Sequence, residues 1–112
     1  MVIVRNVFQI RPEEMKKALS IVREGRPLAE RLGMPAQRAM ADLVAGFYTL
    51  VLESEHPSLS AFEESISKAF SNPEWQAFYS RLRPLVAGGH REIFTLVESE
   101  AAANRLDPAL VA

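Results

Sequence analysis

Cysteine is absent from this 112-residue chain. That removes disulfide scaffolds, thiol nucleophiles and thiolate metal sites together. Long apolar runs are missing too: the longest tract, Leu43 to Leu52, is broken by Gly46 and Thr49, well short of the roughly eighteen residues a spanning helix needs. Nor does one sign of charge prevail. Thirteen Lys and Arg stand against fourteen Asp and Glu, for a formal net charge of -1. Residues 1–56 carry eight basic and seven acidic side chains, residues 57–112 five and seven. A chain without a basic field has nothing to gather nucleic acid or an anionic membrane, so neither is expected as a partner. Met1 to Phe8 shows no basic segment followed by an apolar stretch and a small-residue cleavage site, so the expected location is cytoplasmic.

Hydrophobic residues make up 48% of the chain and aromatics 8%, enough for the core of one domain of this length. Residues 2–10 are β-branched and aromatic-rich. Val2, Val4, Phe8 and Ile10 fall on one parity, Ile3, Arg5, Val7 and Gln9 on the other, the period of a strand. Arg11-Pro12-Glu13-Glu14 is expected to open a helix, with proline in the first turn and the glutamates at its positive end. Met15, Leu19, Val22, Ala29 and Leu32 mark its apolar face, and Gly33 its end. Pro27 interrupts the pattern; a kinked but continuous helix is expected. Gly25 lies near the apolar stripe, where a missing side chain allows close packing.

Two strands follow, Gln37–Leu43 and Phe47–Glu53, with a turn near Val44-Ala45-Gly46 in which Gly46 has free access to positive φ. Both faces of the second strand carry bulk, which predicts a central position. Ser60-Ala61-Phe62-Glu63 fits a capping box. Asn72-Pro73-Glu74 caps another helix, with Trp75, Phe78, Tyr79 and Leu82 at helical spacing. Pro84 ends it, Gly88-Gly89 is expected to turn the chain, and Arg91–Val97 forms the last strand. The order is β-α-β-β-α-β, an α+β, ferredoxin-like arrangement with a four-stranded antiparallel sheet in a domain over residues 1–98. Residues 99–112, with Leu106, Leu110 and Val111, read as a tail.

With both helical segments on one sheet face, the other face is left bare, yet three of its four strands carry bulky residues there. A bare apolar face needs a partner. A second copy related by a twofold axis supplies one, so a homodimer through the sheet face is expected, two sheets stacking into a dimeric α/β barrel.

The run from Asn72-Pro73-Glu74-Trp75 to Arg83-Pro84-Leu85 resembles the same segment of NIPSNAP-like proteins of the dimeric α/β-barrel superfamily. The first strand entering Arg11-Pro12 and the Glu24-Gly25-Arg26-Pro27-Leu28 segment before Gly33 are similar as well. The likeness spans roughly residues 2–98. It implies the fold and the dimer, and little about activity, because related barrels include cofactor-independent monooxygenases, isomerases and haem-binding enzymes. One departure stands out. Such proteins often carry an arginine two residues before an aromatic in the first strand; here Asn6 holds that position before Phe8, and Arg5 belongs to the opposite face.

His56 and His90 are the two side chains that titrate near neutral pH. They lie in different loops by this reading and suit solvent-exposed positions. His90-Arg91-Glu92 puts a histidine and a carboxylate on one strand face, but two ligands do not make a metal site. No metal and no cofactor is implied; haem on His90 is the minor reading. The candidate barrel-pocket residues are Arg5, Asn6, Gln9, Asp42, Tyr48, Thr49 and His90. Asn, Tyr and Arg side chains can hold a carbonyl or phenolate oxygen, as cofactor-independent chemistry requires. They can equally serve the fold, Arg5 and Asp42 by pairing across strands and Tyr48 by packing. Trp75, Phe78 and Tyr79 read as core. No P-loop, G-x-S-x-G or G-x-G-x-x-G occurs.

Two functional readings follow. One is a homodimer that binds a small apolar molecule in the barrel, with cofactor-independent monooxygenase or isomerase-type chemistry. The other is a non-catalytic structural or protein-interaction dimer, with the tail or helical surface as its contact.

Overall fold

A computed structural model of the chain describes residues 1–98. Its elements are β1 (Val2–Ile10), α1 (Met15–Arg31), β2 (Gln37–Ala41), β3 (Thr49–His56), α2 (Leu59–Phe70), α3 (Pro73–Leu82), a 3₁₀ turn (Arg83–Leu85) and β4 (Val86–Thr95). The four strands form one antiparallel sheet in the order β2-β3-β1-β4, the ferredoxin-like arrangement. β3 is central, as its two bulky faces require. The expected tail, with Leu106, Leu110 and Val111, lies outside the described residues.

Cross-strand register fixes the two faces. Val2, Val4, Asn6, Phe8 and Ile10 pair with His56, Ser54, Leu52, Leu50 and, for Ile10, Val86. This even set meets the helices: Ile10, Leu50 and Leu52 join Ala18 and Ile21 of α1, Leu82 of α3 and Leu85 in the main apolar cluster. Among the described residues, Ile10, Leu50 and Val4 are the largest side chains with almost no exposure to water. The odd set, Ile3, Arg5, Val7 and Gln9 in β1 with Val51 and Glu53 in β3, faces away from the helices.

Helix boundaries show where local chemistry won. α1 begins at Met15, later than expected, because Glu13 adopts φ 70° and breaks the helical path; no acidic residue lies in its first turn. It runs unbroken through Pro27 and ends as expected: Gly33, at φ 70°, donates to Glu30 O at 3.0 Å and Met34 to Ala29 O at 3.0 Å, the paired bonds of a Schellman cap. The cap of α2 is Ser58, not Ser60. Ser58 is extended and its Oγ accepts from Ala61 N at 3.1 Å, which puts Ser60 inside the first turn. Asn72 caps α3 as expected, its Oδ1 accepting from Glu74 N and Trp75 N at 2.9 and 3.1 Å.

The strands shift too. β2 stops at Ala41 and β3 starts at Thr49, extending to His56. Asp42 closes the loop between them: its N–H donates to Thr49 O at 3.1 Å while its Oδ1 accepts from Thr49 N at 2.8 Å. The positive φ values fall on Phe47 (61°) and Tyr48 (52°), not on Gly46. Gln9 Nε2 donates to Gly46 O and Phe47 O, and Ile10 N to Tyr48 O, so the strand edge itself holds this shape. Gly88-Gly89 does not turn the chain; both glycines lie within β4, opposite Gln9 and Phe8. A Cβ on Gly89 would sit 2.7 Å from Val7 O, so here glycine permits close backbone approach.

Candidate functional site

The helix side of the sheet is filled at its two ends and open between them. At one end Ile10 and Leu50 pack under α1 and α3. At the other, His56 meets the Phe62 ring of α2 edge-on, centroids 5.1 Å apart, and shares a 2.9 Å hydrogen bond with Ser54 Oγ. Between them lies a cavity of about 630 Å³, within the range of small-molecule sites. Its floor includes Asn6, Phe8 and Leu52 of the sheet. Val22, Gly25 and Ala29 of α1 form one wall, Ile66 of α2 with Trp75, Phe78 and Tyr79 of α3 another.

Local sequence explains the space. α1 presents Gly25 where it passes α3, and the Phe78 ring fills the place a side chain would take: a Cβ there would be 2.5 Å from Cε2 and Cζ. Trp75 is tilted against Phe78, centroids 5.1 Å apart, and Tyr79 stands edge-on to Phe70 at 6.1 Å. These aromatics, which helical spacing assigns to the core, form a cavity wall and remain partly exposed; Leu82 is the buried residue of α3.

Two polar groups meet at the β1–β4 side. Arg91 of β4 faces Asn6 of β1 across the ladder, and its Nε donates to Asn6 Oδ1 at 2.7 Å. The Arg91 guanidinium also lies 5.2 Å from the centre of the Phe62 ring, a cation–π distance. Gln37 of β2 and Arg26 and Glu30 of α1 line other parts of the cavity.

Of the candidates named from sequence, the structure brings Asn6 and His90 to this cavity. His90 comes in at the β4 edge with its imidazole turned to the outer face, where Nε2 is 3.2 Å from Glu92. Arg5 is on the outer face, 3.6 Å from Glu53 and 3.7 Å from Glu92, and Glu53 also pairs with Arg38. This pairing raises the pKa of Arg38, through the hydrogen bond to Glu53 first and its charge second. Gln9, Asp42, Tyr48 and Thr49 are engaged in the β2–β3 loop described above. His56 is not in a loop and not exposed: it ends β3 on the helix side, 4% accessible, and burial lowers its pKa. The continued alternation Leu50, Leu52, Ser54, His56 is the signal that locates it. Among the described residues no group of three or more His, Asp or Glu could hold a metal ion, and no helix is long and apolar enough to cross a membrane. Arg91, read from sequence as the start of the last strand and the middle of His-x-Glu, is not among the candidates, nor are Arg26, Glu30 and Gln37; the contact of Arg91 with Asn6 spans 85 positions.

No protein-family model matches the chain, and no curated protein matches it in sequence. Solved structures do. A NIPSNAP family protein from Agrobacterium tumefaciens superposes with a TM-score of 0.78 at 23% identity, over 93% of this chain and 90% of that one. An uncharacterized NIPSNAP domain protein from Burkholderia xenovorans gives 0.77 at 15% identity, over 85% and 93%. An antibiotic biosynthesis monooxygenase gives 0.67 at 16% identity, over 88% and 100%. With its strand order and helix placement, the chain is NIPSNAP-like in fold.

Proposed function

We propose that the protein is a homodimer, paired through the outer sheet face, whose helix-side cavity binds a small, largely apolar molecule and carries out cofactor-independent chemistry of the monooxygenase or isomerase type. The observation that carries the reading is the cavity itself: about 630 Å³ lined by Phe8, Val22, Leu52, Ile66, Trp75 and Phe78, with a few polar groups among them, Asn6 and Arg91 together at the β1–β4 side. Likeness in fold to an antibiotic biosynthesis monooxygenase supports the chemical part. The sheet and three helices supply a largely apolar pocket, and the donors beside Asn6 supply a place for a carbonyl or phenolate oxygen.

Pairing is supported by the outer face. Val7 and Val51 are directly opposite one another, with Ile3, Met40 and Phe94 on the same face. The charges around them are of both signs and already paired in the plane, Arg5 and Arg38 to Glu53 and Arg5 to Glu92. Leu43, Val44 and Phe47, all strongly exposed, lie in the loop that Gln9 binds and extend this surface at its end.

The test uses Trp75, the single tryptophan, in the cavity wall. Titration with naphthalene-2-carboxamide, a neutral apolar probe, is expected to change its emission saturably, and Ala39→Trp, which fills the cavity from β2, is expected to abolish probe uptake measured by equilibrium dialysis. Light scattering is expected to give about twice the 12.5 kDa chain mass. Absence of saturable uptake overturns the ligand reading, and leaves the non-catalytic dimer.

A further inference from the structure

We infer that the molecule bound in this cavity is an anion, an apolar body bearing a single carboxylate or phenolate head, and that Arg91 selects it. The inference rests on the ligand-binding reading above and names the class of ligand. Arg91 lines the cavity without a carboxylate within 4 Å among the described residues, whereas Arg5, Arg31, Arg38 and Arg81 each have at least one; Arg26, the other arginine of the lining, also has none that close but has Glu30 one turn away. Its guanidinium is nevertheless held. Nε is committed to Asn6 Oδ1 at 2.7 Å, and the plane is fixed near the Phe62 ring. A guanidinium has five N–H donors in a rigid fork. With Nε occupied, the two terminal nitrogens keep their donors, and a neutral amide is all that faces them from β1.

The charges elsewhere in the lining support the assignment. Arg26 and Glu30 sit one turn apart on α1, so that wall carries no net charge. The β4 side carries Arg91, and the His90 ring is turned toward Glu92 on the other face. The charged lining is therefore Arg26, Glu30 and Arg91, a net of one positive charge, and Arg91 is the group with no carboxylate on its own wall. Charge-assisted bonds from such a fork to a carboxylate are about twice as strong as neutral ones. Asn6 acts as a positioning residue: a neutral amide, it brings no opposing charge while fixing where the fork points.

Paired probes provide the test, naphthalene-2-carboxylate against naphthalene-2-carboxamide, with Trp75 emission and equilibrium dialysis as readouts. Wild-type protein is expected to bind the carboxylate at least tenfold more tightly. Arg91→Gln is expected to erase that preference, lowering carboxylate affinity at least tenfold more than carboxamide affinity. Asn6→Asp, which gives Arg91 a carboxylate of its own, is expected to lower carboxylate affinity selectively, and melting curves would report whether either variant is folded. Equal binding of both probes by the wild type overturns the inference and leaves an apolar pocket standing. A preference that survives in Arg91→Gln also overturns it and points to Arg26. Binding of neither probe removes the ligand reading itself.

Discussion

Phe78 occupies the space that a side chain on Gly25 would need, its ring edge 2.5 Å from where that Cβ would be. Both residues line the cavity, so the pair sets its width. Gly25→Ala must swing the Phe78 ring aside, a movement of the free end of a side chain rather than of backbone. Alanine in a helix interior regains about 1 kcal/mol over glycine, which offsets the displacement. The expected outcome is a stability change within about 1 kcal/mol of zero, a shifted Trp75 emission, since that ring lies tilted against Phe78 with centroids 5.1 Å apart, and weaker probe binding. A variant with unchanged emission and full binding would show that the ring does not set the width.

Much of the fold was legible because it rests on periodicity and local chemistry. Val2 to Ile10 alternates, Asn72-Pro73 announces a helix, Gly33 closes one, and β3 carries bulk on both faces. The misreadings came where one residue type has two uses. Glycine marks a turn or a close approach, and Gly88-Gly89 serves the second. Ser58 and Ser60 can each cap; backbone conformation chooses Ser58. In the β2–β3 loop, hydrogen bonds from Gln9, Ile10 and Asp42 place the left-handed residues at Phe47 and Tyr48.

The cavity was harder to see. Strand parity sorts residues into two sets but does not say which set meets the helices, so Arg5 and Asn6 entered the same list although they point to opposite faces. Trp75, Phe78 and Tyr79 have the spacing of a packed stripe, and a cavity wall has the same spacing. Asn6 and Arg91 meet only because β1 and β4 pair in one register; neither residue's neighbours carry a trace of the other.

His56 makes stability depend on pH in a definite direction. Burial lowers its pKa in the folded protein below the ordinary value of 6.5. Below that value the unfolded chain takes up the proton first, so stability is full above about pH 6.5 and falls as pH drops toward the folded pKa, then levels off. The limiting slope for one proton is about 1.4 kcal/mol per pH unit. Urea unfolding at pH 7.5 and 5.5 is expected to show a drop in wild type that is smaller in His56→Gln. Equal slopes in the two proteins would remove His56 as the cause.

Asn72 accepts from two N–H groups at the start of the helix that carries the aromatic wall. Asn72→Ala leaves both without their partner and is expected to cost about 1 kcal/mol, lowering the melting temperature by roughly 4–8 °C for a domain of this size. Asn72→Asp keeps the acceptor and is expected to recover most of the loss. An alanine variant that melts with wild type would mean that water replaces the cap at no cost.

Leu50 and Val51 are adjacent in β3 and separate the core from the proposed interface. Leu50 is fully buried toward the helices. Leu50→Lys loses about 2–5 kcal/mol of packing and strands a charge at several kcal/mol more, comparable with the whole stability of a small domain. It is expected to unfold the chain and so says nothing about pairing. Val51 is half-buried and opposite Val7 on the outer face. Val51→Lys leaves the core untouched. If two copies meet there, the twofold axis applies the change twice, and dimer affinity is expected to fall roughly a hundredfold or more. The check is light scattering across a concentration series alongside circular dichroism: a folded chain whose mass drops toward 12.5 kDa supports pairing through this face. A folded Val51→Lys protein that keeps the wild-type mass would place any dimer contact elsewhere on the molecule.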